Sequence, residues 1–148
     1  RSCADPLRDR FGQELRLDSK LDFLWRSMSY RVLAVDDSLL MRRKVEKSLK
    51  DTEFELVATA GDGAAAVEQF KEVAPDLVLL DIVMPKLDGP GALKQIMALD
   101  GNARVIMVSS LGTDEAVTSC LEAGALRFIQ KPFTTELLLK TLRAVCPS

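Results

Sequence analysis

The chain has 148 residues, with 20 Lys and Arg against 22 Asp and Glu, a formal charge of −2 and 47% hydrophobic residues. That balance gives no general attraction to nucleic acid or anionic membrane, and no apolar stretch approaches the ~20 residues that span a bilayer. The sequence holds no histidine, which removes Ser-His-Asp and Cys-His nucleophile systems and the imidazole ligands of most zinc sites.

Residues 1–29 read as an N-terminal extension and residues 30–146 as one domain. Within the extension, Phe11, Leu15, Leu21, Leu24 and Trp25 fall near helical spacing and predict an amphipathic helix over about 11–26. The extension reads as a linker or a leader foreign to the domain; docking on the domain or on a second copy is the competing reading. Cys3, Cys120 and Cys146 are odd in number and widely spaced, the pattern of free thiols in a reducing cytoplasm. Cys120 falls on an apolar helix face and is expected in the core.

From residue 31 onward, apolar runs alternate with helix-period segments. Strands are predicted at 31–36, 54–60, 76–81, 104–109 and 126–130, and helices near 38–50, 63–73, 90–99, 113–123 and 134–145. The inward helix faces are Met41, Val45 and Leu49; Ala66, Phe70 and Val73; Leu138, Leu142 and Val145. Ser38 and Thr134 suit helix N-caps, with Glu136 in the first turn of the last helix. Pro90 suits a first helical position and Gly124 a helix end. Asp88-Gly89 reads as a turn, and Met41-Arg42-Arg43-Lys44 as the solvated start of a helix. Five βα units with right-handed crossovers predict an α/β fold, a doubly wound five-stranded parallel sheet with five helices.

The chemistry lies at the strand ends. The first strand runs into Asp36-Asp37, the third into Asp81, the fourth into Ser109 and the fifth into Lys131-Pro132. Ligands bind such sheets outside the carboxyl ends of the strands, so three carboxylates, a hydroxyl and an ammonium are expected to meet at one edge. Singly, each has a plainer reading: Asp36-Asp37 as a helix cap, Asp81 and Ser109 as loop residues, Lys131 as a solvated lysine. Their joint placement outweighs those readings. Converging carboxylates repel unless one is protonated or a hard cation binds, and Mg²⁺ favours a few carboxylates, waters and a phosphate oxygen. Asp81 can then act as a nucleophile on phosphorus, with Lys131 as a point charge and Ser109 as a donor to a phosphoryl oxygen. Lys131-Pro132 is a candidate cis peptide.

The stretches VLAVDDSLLMRRKV, PDLVLLDIVMPKLDG, VIMVSS and GALRFIQKPF, in that order, resemble those of response-regulator receiver domains, the chemotaxis CheY type in particular. The resemblance covers about four fifths of the chain and implies the flavodoxin-like strand order 2-1-3-4-5. It implies that Asp81 is the phosphoacceptor, that Asp36, Asp37, Asp81 and the backbone carbonyl of Val83 hold Mg²⁺, and that Ser109 and Lys131 complete the site. Phe128 matches a rotating switch aromatic. The implied phosphodonor is a sensor histidine kinase, a role this histidine-free chain cannot fill itself. The implied output is protein binding through the face of the fourth helix, fifth strand and fifth helix. Neither nucleic acid nor membrane is expected as a direct partner. The chain is expected to be cytoplasmic, a monomer or a phosphorylation-dependent dimer, and not an enzyme beyond self-phosphotransfer and slow self-dephosphorylation.

Two positions depart from many chemotaxis relatives. Val83 and Leu111 stand where the family often places polar or acidic side chains beside the hydrolytic water, and two apolar groups there imply slow loss of phosphate. Two other functions compete with this reading. A receiver severed from a larger regulator is one; a Mg²⁺-dependent phosphatase of the haloacid dehalogenase kind is the other. That second family needs an acid two residues after its nucleophile, where this chain has Val83.

Overall fold

Apolar runs too short for helices and rich in Val, Leu and Ile become strands buried on both faces, while the amphipathic segments between them become the covering helices. The computed structural model describes residues 29–84, 87–110 and 112–146. The strands are β1 (Tyr30–Val35), β2 (Phe54–Ala60), β3 (Leu77–Asp81), β4 (Val105–Ser109) and β5 (Arg127–Gln130), all parallel, in the order β2-β1-β3-β4-β5. The helices are α1 (Leu39–Leu49), α2 (Gly63–Val73), α3 (Gly89–Leu99), α4 (Asp114–Glu122) and α5 (Thr135–Val145). The expected helix over 11–26, with Trp25, and the positions Cys3 and Leu111 lie outside the described residues. Among the described residues, no helix is long and apolar enough to cross a membrane.

Alternation along each strand sends successive side chains to opposite faces and so makes two cores. Leu33, Val35, Val78, Leu80, Val105 and Met107 meet α2, α3 and α4 on one side. Val32, Ala34, Leu77, Leu79, Ile106, Val108 and Ile129 meet Val45 and Leu49 of α1 and Leu138, Leu142 and Val145 of α5 on the other. Cys120 is buried in the first core, as expected. Met41 and Val73 are only half-buried; on α1, Ser48 takes an inward place instead, facing Thr135 of α5 at 2.9 Å between hydroxyls.

Helix starts follow the capping chemistry of their sequences. Ser38 and Thr134 cap α1 and α5 as expected, and Asp62, Asp88 and Thr113 cap the other three. The expected Asp88-Gly89 turn is in fact the cap and first residue of α3, so Pro90 falls one place later than predicted. The Asp88 carboxylate accepts from Gly91 N at 2.8 Å, which makes the earlier start favourable. Gly124 follows α4 at φ +116°, the left-handed region that lets a chain leave a helix.

Candidate functional site

The sheet register assembles the site step by step. Val35 pairs with Leu80, so the next residues on those two strands are Asp36 and Asp81. Asp81 pairs with Val108, whose successor is Ser109, and Ser109 pairs with Gln130, whose successor is Lys131. The order of strands reverses between β1 and β3, where an open α/β sheet leaves a crevice at its carboxyl edge.

Each side chain is held by its own loop. Asp36 is 5% exposed; its Oδ1 accepts from Ser38 N at 2.8 Å and its carbonyl from Arg42 Nη1 at 2.8 Å. Asp81, also 5% exposed, accepts from Val83 N at 3.4 Å. Gly89 N donates to Ile82 O at 2.8 Å, and a Cβ at Gly89 would collide with the Asp81 carbonyl, so only glycine lets α3 start this close. Lys131 N donates to Ser109 O at 2.9 Å, and the Lys131–Pro132 peptide is cis, as anticipated. Ser109 is buried.

The charged groups converge. Lys131 Nζ lies 2.5 Å from Asp36 Oδ2 and 3.4 Å from Asp81 Oδ2. Carboxylate oxygens of Asp36, Asp37 and Asp81 all fall within 4.8 Å of one another, with Asp37 exposed. Within that separation the buried pair Asp36 and Asp81 repels by at least roughly 3.5 kcal/mol at an effective dielectric near 20. Burial lifts the Asp81 carboxyl above the usual aspartate range; Lys131 pulls it down and Asp36 pushes it up again. Among the described residues, one ammonium faces three carboxylates there, a net negative notch of oxygen donors. A small hard cation fits that donor set, and the exposed Asp37 edge lets it keep water ligands.

The expected site residues Asp36, Asp37, Asp81 and Lys131 are thus brought into one cluster, with Ser109 in register beside them. Val83 is 56% exposed at the rim. Phe128 is half-buried on β5, packed against the core that faces α2, α3 and α4. The expectation of a solvated Met41-Arg42-Arg43-Lys44 run requires correction, because only Arg43 is exposed. Arg42 reaches the Asp36 carbonyl, and Lys44 Nζ donates to Phe133 O at 2.6 Å and sits 4.6 Å from the Phe133 ring centroid. Sequence reasoning overlooks both. Their signal is only that long basic side chains in the first turns after an acidic pair can reach back to that pair and its neighbouring loop.

The response regulator receiver domain family matches residues 32–143. The chain is similar to the chemotaxis protein CheY of Bacillus subtilis (strain 168), 45% identical over 115 residues that cover 78% of this chain and 96% of that protein. It is also similar to CheY of Thermotoga maritima, 39% identical over 118 residues, 80% of this chain and 98% of the relative. Among solved structures, the fold is similar to a chain of the CheX–CheY–BeF3–Mg²⁺ complex from Borrelia burgdorferi, with TM-score 0.78 and 40% identity over 80% of this chain and 90% of that one. The response regulator domain of Thermotoga maritima CheB gives TM-score 0.73 at 37% identity, over 80% of this chain and 99% of that one.

Proposed function

The chain belongs to the response-regulator receiver family, as a chemotaxis-like response regulator of two-component signalling, and from that premise we propose that Asp81 is its phosphoacceptor. The observation that carries this is the Lys131 ammonium placed between Asp36 and Asp81 at the sheet's carboxyl edge. A carboxylate oxygen of Asp81 attacks phosphorus of a phosphohistidine on a sensor kinase; the new bond is an acyl phosphate and the imidazole leaves with its electron pair. Lys131 balances charge on the transferring group as a mobile point donor, and the Ser109 hydroxyl donates to a phosphoryl oxygen once it arrives.

Asp36, Asp37 and Asp81, with the Val83 carbonyl, would hold Mg²⁺. When bound, the ion supplies neutralisation of phosphoryl charge that one lysine cannot. Ser109 and Phe128 are the proposed switch pair. The proposed output is binding of a partner protein through α4, β5 and α5; Leu121 on α4, Leu126 just before β5 and Leu137 on α5 are exposed. Driving such a switch from mostly off to mostly on takes about 5.5 kcal/mol of differential stabilisation, which several charge-assisted bonds can supply. We read 30–146 as the receiver, 1–29 as an extension and the cytoplasm as its place of action.

Intact-protein mass after treatment with acetyl phosphate and Mg²⁺ tests the reading. One phosphoryl adduct is expected, absent in Asp81→Asn and absent after chelation. An adduct that persists in Asp81→Asn would move the acceptor elsewhere.

A further inference from the structure

The loop that presents Lys131 is tied at both ends. Upstream, Lys131 N bonds to Ser109 O. Downstream, the buried Phe133 is held by Lys44 of α1, which donates to its carbonyl at 2.6 Å and covers its ring at 4.6 Å. Ser48 of the same helix meets Thr135 at 2.9 Å, just past that loop. The segment that carries Lys44 also fixes Asp36, through Ser38 N on its carboxylate and Arg42 on its carbonyl. A half-buried ammonium is a costly way to fill space; here its cost is offset by a carbonyl and an aromatic face at once, both on one residue.

We infer that Lys44 is a positioning residue for Lys131: it locks the β5–α5 loop to the β1–α1 unit and so sets the reach of the Lys131 ammonium toward Asp36 and Asp81. This rests on the phosphoacceptor reading above. Misplacing a charge-neutralising group by a fraction of its working distance slows transfer without altering donor binding.

The test is phosphorylation of the whole chain by acetyl phosphate at saturating Mg²⁺, with thermal midpoints taken on the same samples. Lys44→Met is expected to lower the rate constant at saturating donor about tenfold with the half-saturating donor concentration unchanged. Lys44→Arg, which keeps both the donor and the cation over the ring, is expected to restore it to within about twofold. In a Lys131→Ala background, Lys44→Met is expected to change the rate no further. Lys44→Leu, which likewise removes both the donor and the charge, supplies the same comparison if the methionine variant does not fold. An equal fold-loss with and without Lys131, or an unchanged rate beside a lowered thermal midpoint, would overturn the role. A wild type that takes up no phosphoryl group would remove the acceptor reading and this one together.

Discussion

Lys131 Nζ sits 2.5 Å from Asp36 and 3.4 Å from Asp81, so the lysine is shared between two acids and is closer to the one that is not the proposed acceptor. The asymmetry leaves the Asp81 carboxylate the less neutralised of the two and the more available to an electrophile. The Lys131 side chain is only 16% exposed, so its charge is partly desolvated and its removal leaves buried carboxylates facing each other. Lys131→Met is therefore expected to destabilise the fold by about 2–3 kcal/mol at pH 7. The loss should shrink as pH falls, because Asp81 then takes up a proton and the repulsion disappears. Urea unfolding at several pH values checks this; a loss independent of pH would point to packing alone.

Asp81 carries a second pH signature. Its carboxyl is lifted above the ordinary aspartate value of 3.8, chiefly by burial. A raised acid binds its proton more tightly in the folded state, so the folded state is favoured below that ordinary value and loses stability as pH rises through the lifted one. Asp81→Asn carries no such charge. Without divalent cations it is expected to be the more stable protein at pH 7, and the two curves should converge near pH 4. A wild type more stable than Asp81→Asn at pH 7 in a chelating buffer would contradict the electrostatics argued for the site.

The fold was legible where sequence carries a period. Buried runs such as Leu77-Val78-Leu79-Leu80 and Val105-Ile106-Met107-Val108 announced the central strands, and their terminal residues announced the cluster. The family stretches supplied the strand order, which runs of this kind leave open. Asp88-Gly89 was misread because a capping Asp and a turn Asp have the same local chemistry, and only the approach of α3 to the Asp81 carbonyl separates them. The inner ties of Arg42 and Lys44 were invisible for a different reason. A long basic side chain reaches its partner through flexible carbons, so its sequence position fixes neither the partner's identity nor its direction.

The donor set of Asp36, Asp37 and Asp81 predicts stabilisation by Mg²⁺ through mass action on the folded state, about 2.7 kcal/mol at a concentration one hundred times the dissociation constant. Asp37 is exposed, so Asp37→Asn should leave the apo protein within about 0.5 kcal/mol of wild type while the Mg²⁺-induced rise in thermal midpoint is largely lost. Calorimetric scans with and without Mg²⁺ separate the two effects. A full Mg²⁺ response in Asp37→Asn would remove that carboxylate from the ligand set.

Val83 governs the lifetime of the phosphorylated state in this reading. It is 56% exposed at the rim of the cluster, and its backbone N–H donates to the Asp81 carboxylate at 3.4 Å. An apolar side chain there offers an approaching water neither a donor nor an acceptor, so hydrolysis of an acyl phosphate on Asp81 loses an orienting partner. Val83→Asn supplies both an amide donor and a carbonyl acceptor at the same exposed position, with stability expected within about 0.5 kcal/mol of wild type. Decay of the phosphorylated chain, followed after removal of the phosphodonor, should then be about 3- to 10-fold faster in Val83→Asn. A wild type that decays as fast as the asparagine variant would show that the water is placed by other groups, and that the exposed valine has no hold on the signal's duration.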